Sequence, residues 1–484
     1  LKADEMTVAL KPVHPWLKTL HVTFVPGFTT PLLDKVASAL KETLGRHGHY
    51  IQDVPDEETD LALTTACFGK PTPWRKSLFF QARRQFGLHH TPTVLTMLHV
   101  QPQQWTDLLT HFAHALAKQI PDANDFNFPG LATSAYHTLI EQGRRGGPVL
   151  AIERLMQAQT MCLRLLVVVG DDQPHFAYHF DLVGGSPRSD GDSQAFYDDI
   201  ALRLATVVSL EETGGYSVQP PMIARATWES LQTPAAMRAA SLELGARNFF
   251  TQMVRIADLV HVPALADVIS SQYSEGCFAT WEPQINALIT TVTGGARPVD
   301  KSNITEDDLA VVAGTQMSDK SVHVRHVERI PNDPPSSEAF EMMDIVSALP
   351  MISLDGAWGT DQTRAPVIRS QLHGHRGVAS YDPQHVEYVP MEPVYFHYPV
   401  TCRTQAQAYG LKSTFVHSEA LRNPGDPRHV VFTLLPTHGV FIVEKWVPGK
   451  SPLQTIWEYM DAGYLQVEST IPQGPELYIP TRHN

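Results

Sequence analysis

The chain has 484 residues, 43% hydrophobic and 18% charged, an ordinary globular composition spread over more sequence than one core usually serves. A net charge of −14 at pH 7 without a long basic run argues against nucleic acid or an anionic membrane as the main partner. No run of about 18 apolar residues occurs, so no membrane-spanning helix is expected, and four scattered cysteines without a CxxC pair predict reduced thiols in the cytoplasm.

LHVTFVPG (20–27) predicts a short strand ending in Pro-Gly. In the following TTPLLDKVASALKETLGRHG, Leu33, Val36, Ala37, Leu40 and Leu44 recur at helical spacing before Gly45 and Gly48. DLALTTACFG (60–69) and TPTVLTMLHV (91–100) predict buried strands, with helices over SLFFQARRQFGL between them and DLLTHFAHALAKQI after them. This alternation indicates a parallel, doubly wound sheet. A second such unit is expected from GPVLAIERLMQAQ (helix), CLRLLVVVGDD and FAYHFDLVGG (strands), then two long helical patterns. From about 345 Pro, His, Tyr and Val dominate, and VVFTLLPTHGVFIVEKWVPG (430–449) predicts a hairpin. The expected fold class is α/β: two Rossmann-like doubly wound domains, 1–157 and 158–345, followed by a β-rich domain, 346–484.

QYSEGCFATWEP (272–283) sets an acid, Glu275, in an apolar and aromatic segment. A helical stretch is expected to end near Ser271 and a second apolar helix to begin near Trp281, leaving Glu-Gly-Cys at the junction. Gly276 permits a tight turn or a close approach to a ligand there, and element ends on a rigid scaffold are where catalytic groups concentrate. The alternative is that Glu275 caps the next helix. Asp300 follows 25 residues later in GGARPVDKSNIT, and a helix between the two acids would bring both carboxylates to one end of a sheet. Paired carboxylates persist with a shared proton or a cation between them. Oxygen ligands suit Mg²⁺ or Mn²⁺, and an added imidazole favours Mn²⁺, Fe²⁺ or Zn²⁺ over Ca²⁺. Asp300 could equally pair with Lys301 or Arg297, or form a cap.

RSQLHGHRGVASYDP (369–383) holds His373 and His375 two residues apart, facing one way on a strand. With Arg376 beside them and glycines leaving room, these three suit substrate binding, of a polyol or an anionic group, or metal ligation; the plainer alternative is bonding to a neighbouring loop. His438 interrupts a hydrophobic hairpin at Thr-His-Gly, a functional tip or an exposed turn. Cys277, beside an acid, is a poor thiolate candidate. Arg144 and Arg145 ahead of a helix could bind an anion; Asp171, Asp172 and His179 offer another candidate group, although acids after a buried strand are often turn formers. GxSxG, HExxH, GxGxxG and P-loop signatures are absent.

QYSEGCFATWEPQINALI (272–289) resembles the sugar isomerase superfamily of L-fucose and L-arabinose isomerases, which place a metal-binding glutamate before Gly in such a context. Cys277 stands where that family commonly has an acid. The resemblance implies metal ligands at Glu275, Asp300 and His438, catalytic roles for Glu275 and Asp300, a divalent cation with Mn²⁺ preferred, and two Rossmann-like domains with a β-rich C-terminal domain. A sugar-like small-molecule substrate and a homo-oligomer are expected. Isomerisation needs a base to move a proton between adjacent carbons and a cation to polarise the oxygens. Two other readings stay open: a zinc-dependent hydrolase or lyase using His373 and His375, and a ligand-binding protein without catalysis.

Overall fold

The computed structural model describes residues 18–25, 27–67, 93–104, 163–172, 174–181, 184–188, 191–209, 215–247, 249–250, 276–293, 299–318, 320–354, 363–374, 376–391, 404–435, 439–468 and 481–482. The segments expected as helices at SLFFQARRQFGL, DLLTHFAHALAKQI and GPVLAIERLMQAQ, and Arg144 and Arg145, lie outside these residues.

The first sheet contains β1 (His21–Val25), β2 (Tyr50–Gln52), β3 (Leu61–Cys67), β4 (Thr93–Val100), β5 (Leu163–Gly170), β6 (Pro174–Asp181) and β7 (Gly184–Arg188) in the order β2-β1-β3-β4-β5-β6-β7. The first five strands are parallel, as the β/α alternation predicts. FAYHFD forms a strand, but β6 and β7 run antiparallel, because the short link after Gly170 can only make a hairpin. Helix Pro31–Arg46 begins where Thr30 accepts a hydrogen bond from the Leu33 amide and Pro31 occupies the first turn. Its apolar stripe, Leu33, Val36, Leu40 and Leu44, packs with Phe196, Ile200 and Leu204 of helix Gln194–Ser209 over Val22 and Leu63. Each such buried side chain contributes about 1.5–3 kcal/mol. At the surface Lys35 pairs with Asp192, just ahead of the second helix, and His47, just past the first, hydrogen-bonds Asp198 through Nε2 at 2.9 Å.

The second sheet joins β8 (Gly215–Val218), β9 (Cys277–Glu282), β10 (Ala287–Thr291), β11 (Leu309–Gln316) and β12 (Ser321–Arg325) to strands from the last third of the chain. After the small pair β13 (Met351–Ser353) and β14 (Arg364–Pro366) come β15 (Ile368–Gly374), β16 (Gly377–Tyr381), β17 (Val386–Tyr388), β18 (Val430–Leu435) and β19 (Gly439–Lys445). The nine-strand order is β17-β18-β19-β15-β9-β10-β11-β12-β8, antiparallel apart from the β8–β12 and β17–β18 pairs. A three-stranded sheet sets β16 between β20 (Leu465–Glu468) and β21 (Thr481–Arg482). Helices Ala339–Ala348 and Gln405–Val416 cover one face of the large sheet. Helices Thr233–Ala246 and Gln454–Asp461, with Phe249 and Phe250, cover the other. With both faces covered, CFATWE and ALITT are buried at every position.

Three expectations change here. The helix expected from Trp281 is a hairpin: Trp281 pairs with Leu288, and Pro283 and the left-handed Asn286 (φ 47°) form the turn. Glu275 therefore precedes a strand and cannot cap a helix there, and no helix occupies residues 277–293, between Glu275 and Asp300. The described residues show no second doubly wound unit. Instead β9 pairs directly with β15, so a boundary at 345/346 would pass through one sheet. The hairpin expected at 430–449 is present as β18 and β19. Among the described residues no helix is long and apolar enough to cross a membrane.

Candidate functional site

Four adjacent strands of the large sheet end together. Cys277, the first residue of β9, pairs with His373 near the end of β15, and Gly374 pairs with Val440 at the start of β19. β10 runs out beside β9 at Thr291, and Lys301 returns there to donate from its Nζ to the Val292 carbonyl. This end of the sheet thus gathers Gly276, Cys277, His373, Gly374, Gly439 and the 300–301 turn. Arg376 follows two residues after β15 and is buried.

The candidate residues fall as follows. His373 and Arg376 are described and lie at this end. Asp300 lies in the same turn as Lys301: its Oδ1 accepts from the Ser302 amide at 2.9 Å and its carbonyl from the Asn303 amide at 3.0 Å. One carboxylate oxygen is therefore used to shape a turn. Glu275, His375 and His438 lie outside the described residues; their chain neighbours Gly276, Gly374, Arg376 and Gly439 all belong to this sheet end. Asp171 and Asp172 are exposed after β5, remote in sequence from it.

His373 is buried, its ring stacked on Phe441 with centroids 5.9 Å apart. Its Nδ1 lies 3.0 Å from the Val440 carbonyl, which can only accept, so Nδ1 carries a proton. Opposite it, the Cys277 thiol donates to Glu338 Oε2 at 3.4 Å, the oxygen that also accepts from Ser336 Oγ (2.8 Å) and Ser337 Oγ (2.9 Å). Burial first, then the Glu338 charge, push the thiol well above its usual range, while Ser336 and Lys301 oppose them. Burial and Glu338 keep the Cys277 thiol protonated; the acid on which the sequence reading rested, Glu275, lies outside the described residues. Buried Lys301 and Glu338 were missed as members of this cluster. Lys301 was visible only as a possible counter-ion of Asp300, and Ser-Ser-Glu ahead of an apolar run gives a capping signal rather than a site signal.

Two glycines hold the strand ends close. Gly276 has φ +81°, and a Cβ there would meet the His373 carbonyl oxygen at 2.5 Å; one on Gly374 would meet the Phe249 ring at 2.5 Å. No family model, curated protein or solved structure matches the chain. Among the described residues no group of three or more His, Cys, Asp and Glu side chains is placed to hold a metal ion.

Proposed function

We propose that the chain is a metal-dependent, cytoplasmic aldose–ketose isomerase-like enzyme acting on a sugar or related polyhydroxy compound at this end of the large sheet. One observation supports it above the rest: segments distant in sequence, at 276–277, 300–301, 373–376 and 439–440, converge on the ends of four adjacent strands. Glu275, Asp300, His373, His375, Arg376 and His438 each lie within or next in sequence to one of them.

In this reading Glu275, Asp300 and His438 would hold the metal. Two carboxylates and an imidazole form a hard oxygen–nitrogen set, which suits Mn²⁺. The neighbouring Cys277 thiol, kept protonated by burial and by Glu338, offers no soft thiolate that would turn the set towards zinc. A bound divalent cation would supply polarisation of the substrate's carbonyl and hydroxyl oxygens. Glu275 acts as the base that takes the proton from one carbon and returns it to its neighbour. Asp300, oriented through Ser302, keeps its carboxylate fixed. Arg376 and His375 bind substrate oxygens, and His373, locked on Val440, fixes the strand end beside them.

The test is elemental analysis of the purified protein with a sugar-interconversion assay on wild type and Glu275→Gln. The variant should lose metal content and turnover together, with loss of the base alone lowering the rate about 10²–10⁴-fold. Full activity in Glu275→Gln would remove the reading. Zinc in the wild type, lost with His373→Ala and His375→Ala, would favour hydrolase or lyase chemistry instead.

A further inference from the structure

We infer that helix Thr233–Ala246 is the positioning element of the proposed metal site and that Ser241 on it is the positioning residue for Asp300; this rests on the metal-binding role given to Asp300 above. The helix and the two phenylalanines after it touch three of the four segments that converge at the sheet end. Ser241 bonds the 300–304 turn, Phe250 Cδ1 lies 3.2 Å from where a Cβ on Gly276 would stand, and the Phe249 ring closes over Gly374. The Phe249 amide donates to the Leu244 carbonyl at 3.0 Å, which fixes this buried pair to the helix end. Phe250 also packs on Phe278 of β9, with ring centroids 5.5 Å apart.

A serine inside a helix commonly faces solvent or bonds the carbonyl four residues back. Ser241 does neither. It is fully buried, and its Oγ donates to the Lys301 carbonyl at 2.9 Å and accepts from the Ile304 amide at 3.0 Å. One hydroxyl thus satisfies an acceptor and a donor on the turn that carries Asp300. Gly245, one helical turn on, completes the seat: a Cβ there would stand 2.6 Å from Ser302 Cβ, so the helix lies directly against the turn.

The carboxylate moves with that turn. Asp300 Oδ1 accepts from the Ser302 amide inside it, and the Lys301 Nζ ties the turn to the Val292 carbonyl beyond β10. The turn is therefore held on the sheet side by Lys301 and on the helix side by Ser241. Removing the Ser241 hydroxyl frees the helix side and lets Asp300 shift relative to Gly276 and Gly374. Ser241 acts at one remove from the metal, and partners that orient a ligand in this way typically tune metal affinity by about 10–100-fold.

Calorimetric titration of the full chain, stripped of metal, with Mn²⁺ alone tests this without any substrate. Ser241→Ala should speed amide exchange at Ile304, which loses its acceptor, and weaken Mn²⁺ binding about 10–100-fold. Asp300→Asn should also bind more weakly, and adding Ser241→Ala to it should cause no further loss, because the carboxylate through which Ser241 acts is already gone. Gly245→Ala, which crowds the turn at Ser302 instead of loosening it, should weaken binding by the same route. Glu387→Ala, a change to a buried acid on edge strand β17, should leave the affinity unchanged and so separates positioning from a general loss of stability. A wild type that binds no Mn²⁺, or an Asp300→Asn chain that binds it as tightly as wild type, would remove the metal reading and this inference with it. Wild-type affinity in Ser241→Ala, or losses that simply add in the double variant, would overturn this inference alone.

Discussion

Replacing Gly276 by alanine tests the close approach on which the sheet end depends. At φ +81° an L side chain costs about 1–2 kcal/mol. The new Cβ would also lie 2.5 Å from the His373 carbonyl oxygen, well inside the 3.4 Å where ordinary contact begins, and that oxygen is backbone and cannot rotate away. Forcing β9 and β15 apart adds about 1–3 kcal/mol, as for other overpacked sites. Gly449→Ala isolates the first contribution, since Gly449 has φ +73° with nothing within 4 Å. Urea unfolding followed by tryptophan fluorescence is the assay, because Trp228, Trp281 and Trp446 are buried in the cores on the two faces of this sheet. Gly276→Ala should exceed Gly449→Ala by about 1–3 kcal/mol. Equal shifts, within about 0.5 kcal/mol, would refute the close packing of the two strand ends.

Two further outcomes are expected. Glu387 accepts from Ser418 Oγ and from the Glu419 and Ala420 amides, so Glu387→Ala leaves several buried donors unpaired; it should cost at least about 2 kcal/mol and speed amide exchange at 419 and 420. Arg428, bonded to Asp426, holds that carboxyl at about 2, below its usual 3.8. A depressed carboxylate stabilises the fold above the higher value and loses that contribution as pH falls towards the lower. The stability gap between wild type and Asp426→Asn should therefore close between about pH 4 and pH 2, as denaturation midpoints across that range would show.

Local patterns made much of the fold legible. The 31–46 helix could be read because Leu33, Val36, Leu40 and Leu44 form a single stripe with a Thr-Pro start. β3, β4 and β5 could be read because β-branched and leucine-rich runs are bounded by polar or glycine residues. The 277–291 hairpin was misread for a physical reason: with both faces buried it shows no alternation, so the spacing of Trp281, Ile285, Leu288 and Ile289 imitates a helix. Pro283 and Asn286 were the available turn signal. The candidate site was legible as residue types but not as a place. His373 meets Cys277 only through pairing between distant strands, and no local spacing records the reach of Lys301 to Val292 or of Glu338 to Cys277.

The insertion of β15 between β19 and β9 has a consequence for how the chain is made. The β9–β10–β11–β12 meander can assemble from neighbouring hairpins as it is synthesised, yet β9 meets β15 across 90 residues, as in the Thr280–Ser370 contact. Until the ribosome has passed residue 374, the apolar run CFATWE waits with one row of backbone donors and acceptors open. Such late, non-local closure is slow and exposes the nascent chain to wrong pairing. Synthesis that stopped at 345 would release a sheet with its central strand still an edge.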